Sequence, residues 1–587
     1  MLIYLRIQLI FIILAVIKTI CKIFKESENN PQLDVFSSPS EHLTGSRLKF
    51  YEKNNSWHNL FYKHVVMQVN ESDFKVLFDE TNGAPDASIR ILVGMMILKE
   101  GQGWSDEQLF NSCNYDLLIR RALGLLSLSE AAPVASTYYL FRKRLVDYMQ
   151  EKGIDLMKEC QSKVTENQIL NFEVSGKSIR MDSKLTGSNI TWYSRYELIH
   201  ETLRQFIIKH KGLVDKKNLR KDEKELIKNV AGETGNKVVY RSTKEELSER
   251  FLQLGKLMFR FVRLFKNYKM NEYLILKSVF YQQFSVNRSK VVTALENDEI
   301  SARSIQSPHD PDCTYRNKDG NKVKGYSTNV TETCDKSKQG EPTLNLITDT
   351  QVDVVTTADN RFLKEAVENT EKITHSSVEK IHADGAYHSI ENQEFCDQEN
   401  KELLLTAMQG AEPRYDLNLD KDNPDNLTVF DRNTSKYIDA QTIKSRKDPN
   451  KKRWKIINDK GKPRYFDLEN VRTSLLRQKL RKLPPDETNI RNNVEATIFQ
   501  LGYHYSNDKS RYRGLDKHKL WAYSRSLWIN LVRIVNYITR ISQRTLLGQK
   551  LPEYIVNLYF NMYIIVNMLT VNKNNHVRPA KLIFSAI

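Results

Sequence analysis

Cysteine is scarce: six residues in 587, at positions 21, 113, 160, 313, 334 and 396. No CxxC spacing occurs, so neither a zinc ribbon nor a dithiol redox motif is written in the chain. Scattered single thiols fit a reduced, cytosolic protein. Also lacking is an uninterrupted apolar run of about 20 residues, the length a membrane-spanning helix needs. Leu9–Ile17 is nine apolar residues between Arg6 and Lys18. It is too short to span, and no convincing small-residue cleavage site follows it. A membrane-associated segment, a signal peptide and a start assigned too far upstream are the three readings of residues 1–30. The third is favoured, because nothing downstream looks secreted. Tyr554–Val571 approaches span length, but Asn557, Asn561 and Asn567 interrupt it, and unpaired amides are costly in lipid. Buried helices packing on a sheet are expected there instead. Acidic residues fall short of basic ones by 89 − 72 = 17. That imbalance favours polyanionic partners, nucleic acid first and an anionic membrane second.

A chain of this length holds several domains. Glu26–Ser46 is polar, contains two prolines and reads as a linker. Residues 55–150 read as a small helical domain. Ser105 is placed to cap a helix carrying Leu109 and Phe110. Ser136 or Thr137 is placed to cap another with Tyr138, Leu140, Phe141 and Leu145. That helix carries Arg142, Lys143 and Arg144, which suits helix-turn-helix-like DNA contact, or equally the solvated face of a bundle. Lys177–Asp182 alternates and reads as a strand ending in an acid. Residues 190–300 are a helical insertion, with Asp222–Lys244 as a turn-rich connector. Strands return at Tyr326–Glu332 and Leu344–Val355. Asp359 then caps a helix with Phe362, Leu363, Ala366 and Val367. Val378–Ala383 is a further strand, ending in Asp384, and Leu403–Ala407 is another. An antiparallel start followed by βαβ units predicts an α/β sheet of ribonuclease-H-like type. Residues 410–482 add a β-rich insertion. From Lys444 to Lys482 there are 15 Lys/Arg against four acids. Lys451, Lys452 and Arg453 lie there and are expected to face DNA, the alternative being a solvated basic loop.

The richest stretch is Thr488–Gly514. Ile490, Val494, Ile498 and Leu501 recur at helical spacing. Arg491 and Glu495 share the other face, one turn apart. Asn492 and Asn493 are poor helix formers. Lys509, Arg511 and Arg513 follow, interleaved with Tyr505 and Tyr512. An acid on a polar helix face, trailed by phosphate-seeking side chains, points to metal-assisted work on a nucleic acid. A surface helix with an i,i+4 ion pair is the alternative. Three acids then fall on core elements: Asp182 on the first strand, Asp384 after the fourth and Glu495 on the closing helix. The first and fourth strands are neighbours in this fold, so the acids are expected to converge. Three carboxylates suit a pair of Mg²⁺ (or Mn²⁺) ions, which accept few protein carboxylates and complete their shells with water and phosphate oxygens.

Four blocks carry a resemblance: RMDSKLTGSNI around Asp182, SPHDPDCTYRNKDGNKVKGYSTNVTET, HADGAYHS around Asp384, and RNNVEATIFQLGYHY with SRYRGLDK around Glu495. The chain resembles bacterial insertion-sequence transposases with a DDE catalytic triad, roughly from Leu60 to Tyr537. SDEQLFNSCNYDLLIRRALGL followed by STYYLFRKRL is similar to the helical domain that precedes the core in these enzymes. The resemblance implies Asp182, Asp384 and Glu495 as catalytic metal ligands. It also implies double-stranded DNA as partner, a homodimer on DNA, and no small-molecule substrate. A related signature places Tyr, Arg, Glu and Lys at fixed spacing. Arg491 and Glu495 fit it, whereas Thr488 and Gly502 stand at the Tyr and Lys positions. Lys509, Arg511 or Arg513 are candidates to replace the missing lysine. The expected division is 1–50 as an extra segment, 55–150 as the DNA-binding-type helical domain, 172–540 as the catalytic domain and 541–587 as a helical tail. A metal-dependent nuclease on the same fold, a non-catalytic DNA-binding remnant and a membrane-anchored protein are the competing readings.

Overall fold

Apolar residues at three- and four-residue spacing fold the chain before the first strand into helices. The principal ones are Trp57–His64, Ile89–Gln102, Asp106–Tyr115, Leu117–Leu123, Ala135–Lys152 and Leu156–Phe172. The computed structural model describes residues 38–547 apart from 79–86, 319, 336–341, 407, 409, 421–422, 424 and 445–451. The expectations for residues 1–37 and for Tyr554–Val571 therefore lie outside the described residues. Among the described residues no helix is long and apolar enough to cross a membrane.

Ser105 caps Asp106–Tyr115 through a reciprocal capping box with Gln108, as its position predicts. The next cap differs from expectation. Ala135–Lys152 begins one residue before Ser136, after Val134, with no side-chain cap. Pro133 precedes it, and Tyr138, Phe141 and Leu145 are buried, so tertiary packing rather than a hydroxyl sets this start. The helical core gathers Leu92, Met96, Leu109 and Phe141, together with Leu520, Leu527 and Leu531 of the long last helix, Leu515–Leu547. The N-terminal helices thus share one core with the far end of the chain. Close approach depends on Gly101: a Cβ there would collide with the Trp528 ring. Gly101→Val is expected to cost about 1–3 kcal/mol by overpacking, read as a lower urea midpoint at unchanged slope.

The sheet begins with β1, Ser178–Gly187. Six helices follow between Arg195 and Gln283, then a hairpin of β2, Phe284–Val286, and β3, Val292–Ala294. This insertion has its own core, with Phe206, Met258, Phe261 and Phe280 fully buried. Asp222–Lys244, expected as a turn-rich connector, instead forms helices Lys221–Gly232 and Gly235–Arg241. Val230 and Val238 are buried in the insertion core, and that burial overrides the local charge and the glycines.

Strands β4, Thr314–Lys318, β5, Asn321–Thr333, β6, Ile347–Val354, β7, Lys380–Ala383, and β8, Glu402–Leu405, complete the main sheet. β5 runs antiparallel to β1, β4 and β6. β7 is parallel to β1 and β8 is parallel to β7. The spatial order through the centre is β6-β5-β1-β7-β8. Asp182 does not end its strand. β5 pairs with β1 from Ile179 to Gly187, while β7 pairs only with Ser178–Arg180. The sheet therefore splays at Asp182, where β1 continues along β5 and β7 turns away. Asp359 also departs from expectation. It caps no helix by its side chain but accepts a hydrogen bond from Ser183 Oγ at 2.9 Å.

The basic insertion forms two small sheets: β9–β11 at Tyr415–Leu419, Leu427–Asp431 and Lys436–Asp439, and β12–β14 at Gln441–Lys444, Lys452–Ile457 and Pro463–Asp467. Leu417, Val429, Trp454 and Ile456 bury their shared interior. Helix Leu468–Lys482 leads from it to the closing helix, Pro485–Gly502. Cys113, Cys160, Cys313, Cys334 and Cys396 are buried free thiols.

The last helix also seats His518 in a buried site. Its Nδ1–H donates to the Gly514 carbonyl at 2.9 Å, Nε2 meets Ser510 Oγ at 2.6 Å, and the Tyr326 ring lies 4.2 Å away. Burial pushes this imidazole down to about 4. The neutral form is therefore favoured on folding. The stability it contributes is present above the unfolded value near 6.5 and is lost as pH falls through about 4. The full shift corresponds to about 3 kcal/mol. Urea unfolding between pH 7 and 4 is expected to show a shallower acid loss for His518→Asn than for the native chain.

Candidate active site

Neighbouring parallel strands bring the first two acids to one edge. Ser178 pairs with Lys380 and Arg180 with His382, and Asp182 and Asp384 stand two residues beyond that last pair, where the strands part. Asp384 follows β7 directly and caps the turn Gly385–Tyr387, its Oδ1 accepting from the Ala386 amide at 2.9 Å. Asp182 Oδ1 accepts from the Ser183 amide at 2.8 Å. The closing helix brings the third acid across this edge. Val494 and Leu501 are buried beneath it, which turns Arg491 and Glu495 toward the strand ends.

Arg491 joins all three. Its Nη2 lies 2.7 Å from Asp182 Oδ2 and 4.0 Å from Asp384 Oδ2, and its Nη1 donates to Glu495 Oε1 at 2.8 Å. Exposure rises outward: the Asp182 side chain is 15% exposed, Asp384 29% and Glu495 64%. Burial pushes the Asp182 carboxyl up to about 6 despite Arg491, and the nearby Asp384 and Asp359 push the same way. Asp359 is a buried acid beside the site that pattern reading assigned to a helix cap. A lone aspartate before an apolar helix carries no signal that distinguishes the two roles.

Among the described residues no group of three His, Cys, Asp or Glu side chains is close enough to hold a metal ion. The donors are nonetheless of the kind hard divalent cations take, carboxylate oxygens only. The Arg491 guanidinium stands between two of them as a cation shared by Asp182 and Asp384.

The remaining predicted contacts are spread over the molecule. Lys509 Nζ donates to the Ile190 carbonyl at 2.9 Å, and Arg513 Nε to that of Asn189 at 2.6 Å. Arg511 donates to the carbonyls of Trp104 and Gly103, each at 2.7 Å. These three clasp the chain after the closing helix onto the exit of β1 and the N-terminal helices. Arg142 lies over the rings of Tyr138 and Tyr512, and Arg144 over Phe78. Lys452 pairs with Asp425 at 2.6 Å, Arg453 is exposed on β13, and Lys451 lies outside the described residues.

Gly502 is explained by a residue the pattern missed. A Cβ at 502 would collide with Lys184 Cε. Lys184 comes from β1, two residues after Asp182, and its Nζ reaches Asp508 Oδ1 at 2.6 Å. A lysine thus occupies the space beside position 502, delivered by a strand rather than by the helix. Alternation places Lys184 on the face of Asp182, which is the signal that was available.

No curated protein and no solved structure matches the chain. A family model described as Transposase domain (DUF772) matches residues 48–144, within the helical region that precedes the sheet. That match supports a transposase family for this chain.

Proposed function

We propose that the chain is a DDE transposase that cuts DNA at the ends of an insertion sequence and joins the freed 3′-hydroxyl to target DNA. The observation that carries this reading is the meeting of Asp182, Asp384 and Glu495 around one guanidinium, that of Arg491, where β1 and β7 part. The strand order β6-β5-β1-β7-β8, with only β5 reversed among the central three, supports a ribonuclease-H-like core.

Drawn closer together than they stand here, Asp182, Asp384 and Glu495 are the carboxylates that would hold Mg²⁺ or Mn²⁺. Such ions supply activation of the attacking oxygen and stabilisation of the leaving one. The chain's own residues supply position and charge. Arg491 holds Glu495 against the strand ends and balances the acids. Lys184 adds a cation on the same strand face, and the basic strands of the second insertion offer sequence-independent phosphate contacts. The partners are double-stranded element ends and target DNA, held by a homodimer, with no small-molecule substrate.

The test is Mg²⁺- or Mn²⁺-dependent cleavage and joining of DNA carrying the element's own ends. Joining of a pre-cut end is the expected result. Cleavage without joining would move the reading to a nuclease, and DNA binding with neither would move it to a non-catalytic remnant.

A further inference from the structure

Two packed helices ordinarily bring apolar stripes together. The closing helix and the last helix do the reverse along one side. Asn493 and Gln500 stand two turns apart, and the small Ala496 between them leaves a gap. Opposite them, Arg533, Asn536 and Arg540 recur at i, i+3 and i+7 on the last helix. With Arg180 of β1 and Asn345 they line a cavity of about 260 Å³. It lies on the side of the closing helix turned away from Arg491 and Glu495.

The cavity is cationic. Three arginines line it, and two of them, Arg180 and Arg533, already hold the buried carboxylate of Glu332. Arg540 is exposed and has no ion-pair partner among the described residues, and the amides of Asn493 and Asn536 have no hydrogen-bond partner there. Guanidinium forks and free amide donors are the groups that bind phosphate oxygens. The volume falls below the 300–1,000 Å³ typical of drug-sized ligands, which suits entry of a single phosphate group. The polar choice at Asn493, costly in a helix, has a use here.

We propose that this cavity is a phosphate-binding site, occupied in the working protein by a backbone phosphate of a DNA strand. The identification with DNA rests on the functional reading above; the anion site does not. Arg180 also donates to the Ile490 carbonyl at 3.0 Å, so a bound phosphate bears on the helix that carries Arg491 and Glu495.

The experiment uses the full chain with Asn536→Asp and Arg540→Ala, neither of which is fully buried. Two probes are titrated: inorganic phosphate against chloride at matched ionic strength by calorimetry, and a duplex of about 30 base pairs by fluorescence anisotropy across a salt series. The native chain is expected to bind phosphate, and each variant to bind it about tenfold or more weakly, as for the loss of a charge-assisted contact. The slope of log K against log salt for the duplex is expected to fall by about one in Arg540→Ala. Phosphate binding lost in the variants, with no duplex binding by the native chain, would keep the anion site and sink its DNA occupant. Duplex binding with an unchanged slope, and phosphate binding indifferent to both variants, would overturn the site while leaving the DNA reading intact.

Discussion

Asp182→Asn, Asp384→Asn and Glu495→Gln are each expected to lower DNA cleavage and joining by about 10³-fold or more while DNA binding persists. Several kcal/mol of charge stabilisation in the reaction passes through these carboxylates on the proposed reading, and each 1.36 kcal/mol is about tenfold in rate. The three variants differ in what they do to the fold. Asp182 is the most buried, and burial pushes it up to about 6. Its folded value lies above the ordinary aspartate value, so folding favours the protonated form. Stability therefore rises as pH falls through about 6 toward the unfolded value, and the ionised group is a burden at neutral pH. Asp182→Asn removes that burden and is expected to be at least as stable as the native chain at pH 7. Glu495→Gln sits on an exposed side chain and is expected to leave stability unchanged. Activity assays beside urea unfolding check both halves. An Asp182→Asn chain that cleaves and joins normally would sink the triad.

Glu332→Ala is expected to be the most destabilising single change in the sheet, by about 3–5 kcal/mol. Glu332 lies on β5 and is 0% exposed. Burial alone would raise its carboxyl, but Arg533 and Arg180 beside it hold it below the usual range. Arg533 Nη2 lies 2.6 Å from Oε2, Arg180 Nε donates to Oε1, and Thr497 Oγ1 donates to Oε2 at 2.7 Å. Truncation leaves two guanidiniums facing each other with no carboxylate between them, and an uncompensated buried charge is what makes breaking such a network costly.

The network also positions the site. Thr497 is two residues after Glu495, and Arg180 grips the carbonyl of Ile490, one residue before Arg491. Glu332→Gln keeps the shape and part of the hydrogen bonding, and is expected to fold. Its cleavage rate is expected to drop, because the closing helix loses its fixed seat. Urea unfolding and single-turnover cleavage separate the two effects. A Glu332→Gln chain with native cleavage and native stability would show that the network does neither job.

Much of the local structure was legible in the residues. Helical spacing marked Ile490–Leu501, alternation marked β1, and the capping box at Ser105 was written as Ser105 followed by Gln108. Alternation and order of elements also placed Asp182 and Asp384 on neighbouring strands, and composition marked the basic insertion. Misreadings came where burial overruled local chemistry. The helices in Asp222–Lys244 form because Val230 and Val238 reach the insertion core. Other contacts lay beyond any local pattern: Arg142 and Arg511 meet aromatic rings and backbone carbonyls because distant segments fold onto them.

The sequence by itself determined most element types, the excess of positive charge and which acids fall on or beside core elements, because periodicity, composition and residue chemistry are local properties. Tertiary structure alone decided that Arg491 stands among those acids, that Lys184 fills the space beside Gly502, and that Asp359 joins the site. It also decided that the last helix completes the N-terminal core and that Glu332 ties the closing helix to the sheet. These depend on partners from more than 100 to more than 400 positions apart, and no short-range pattern encodes which distant side chain arrives at a given point.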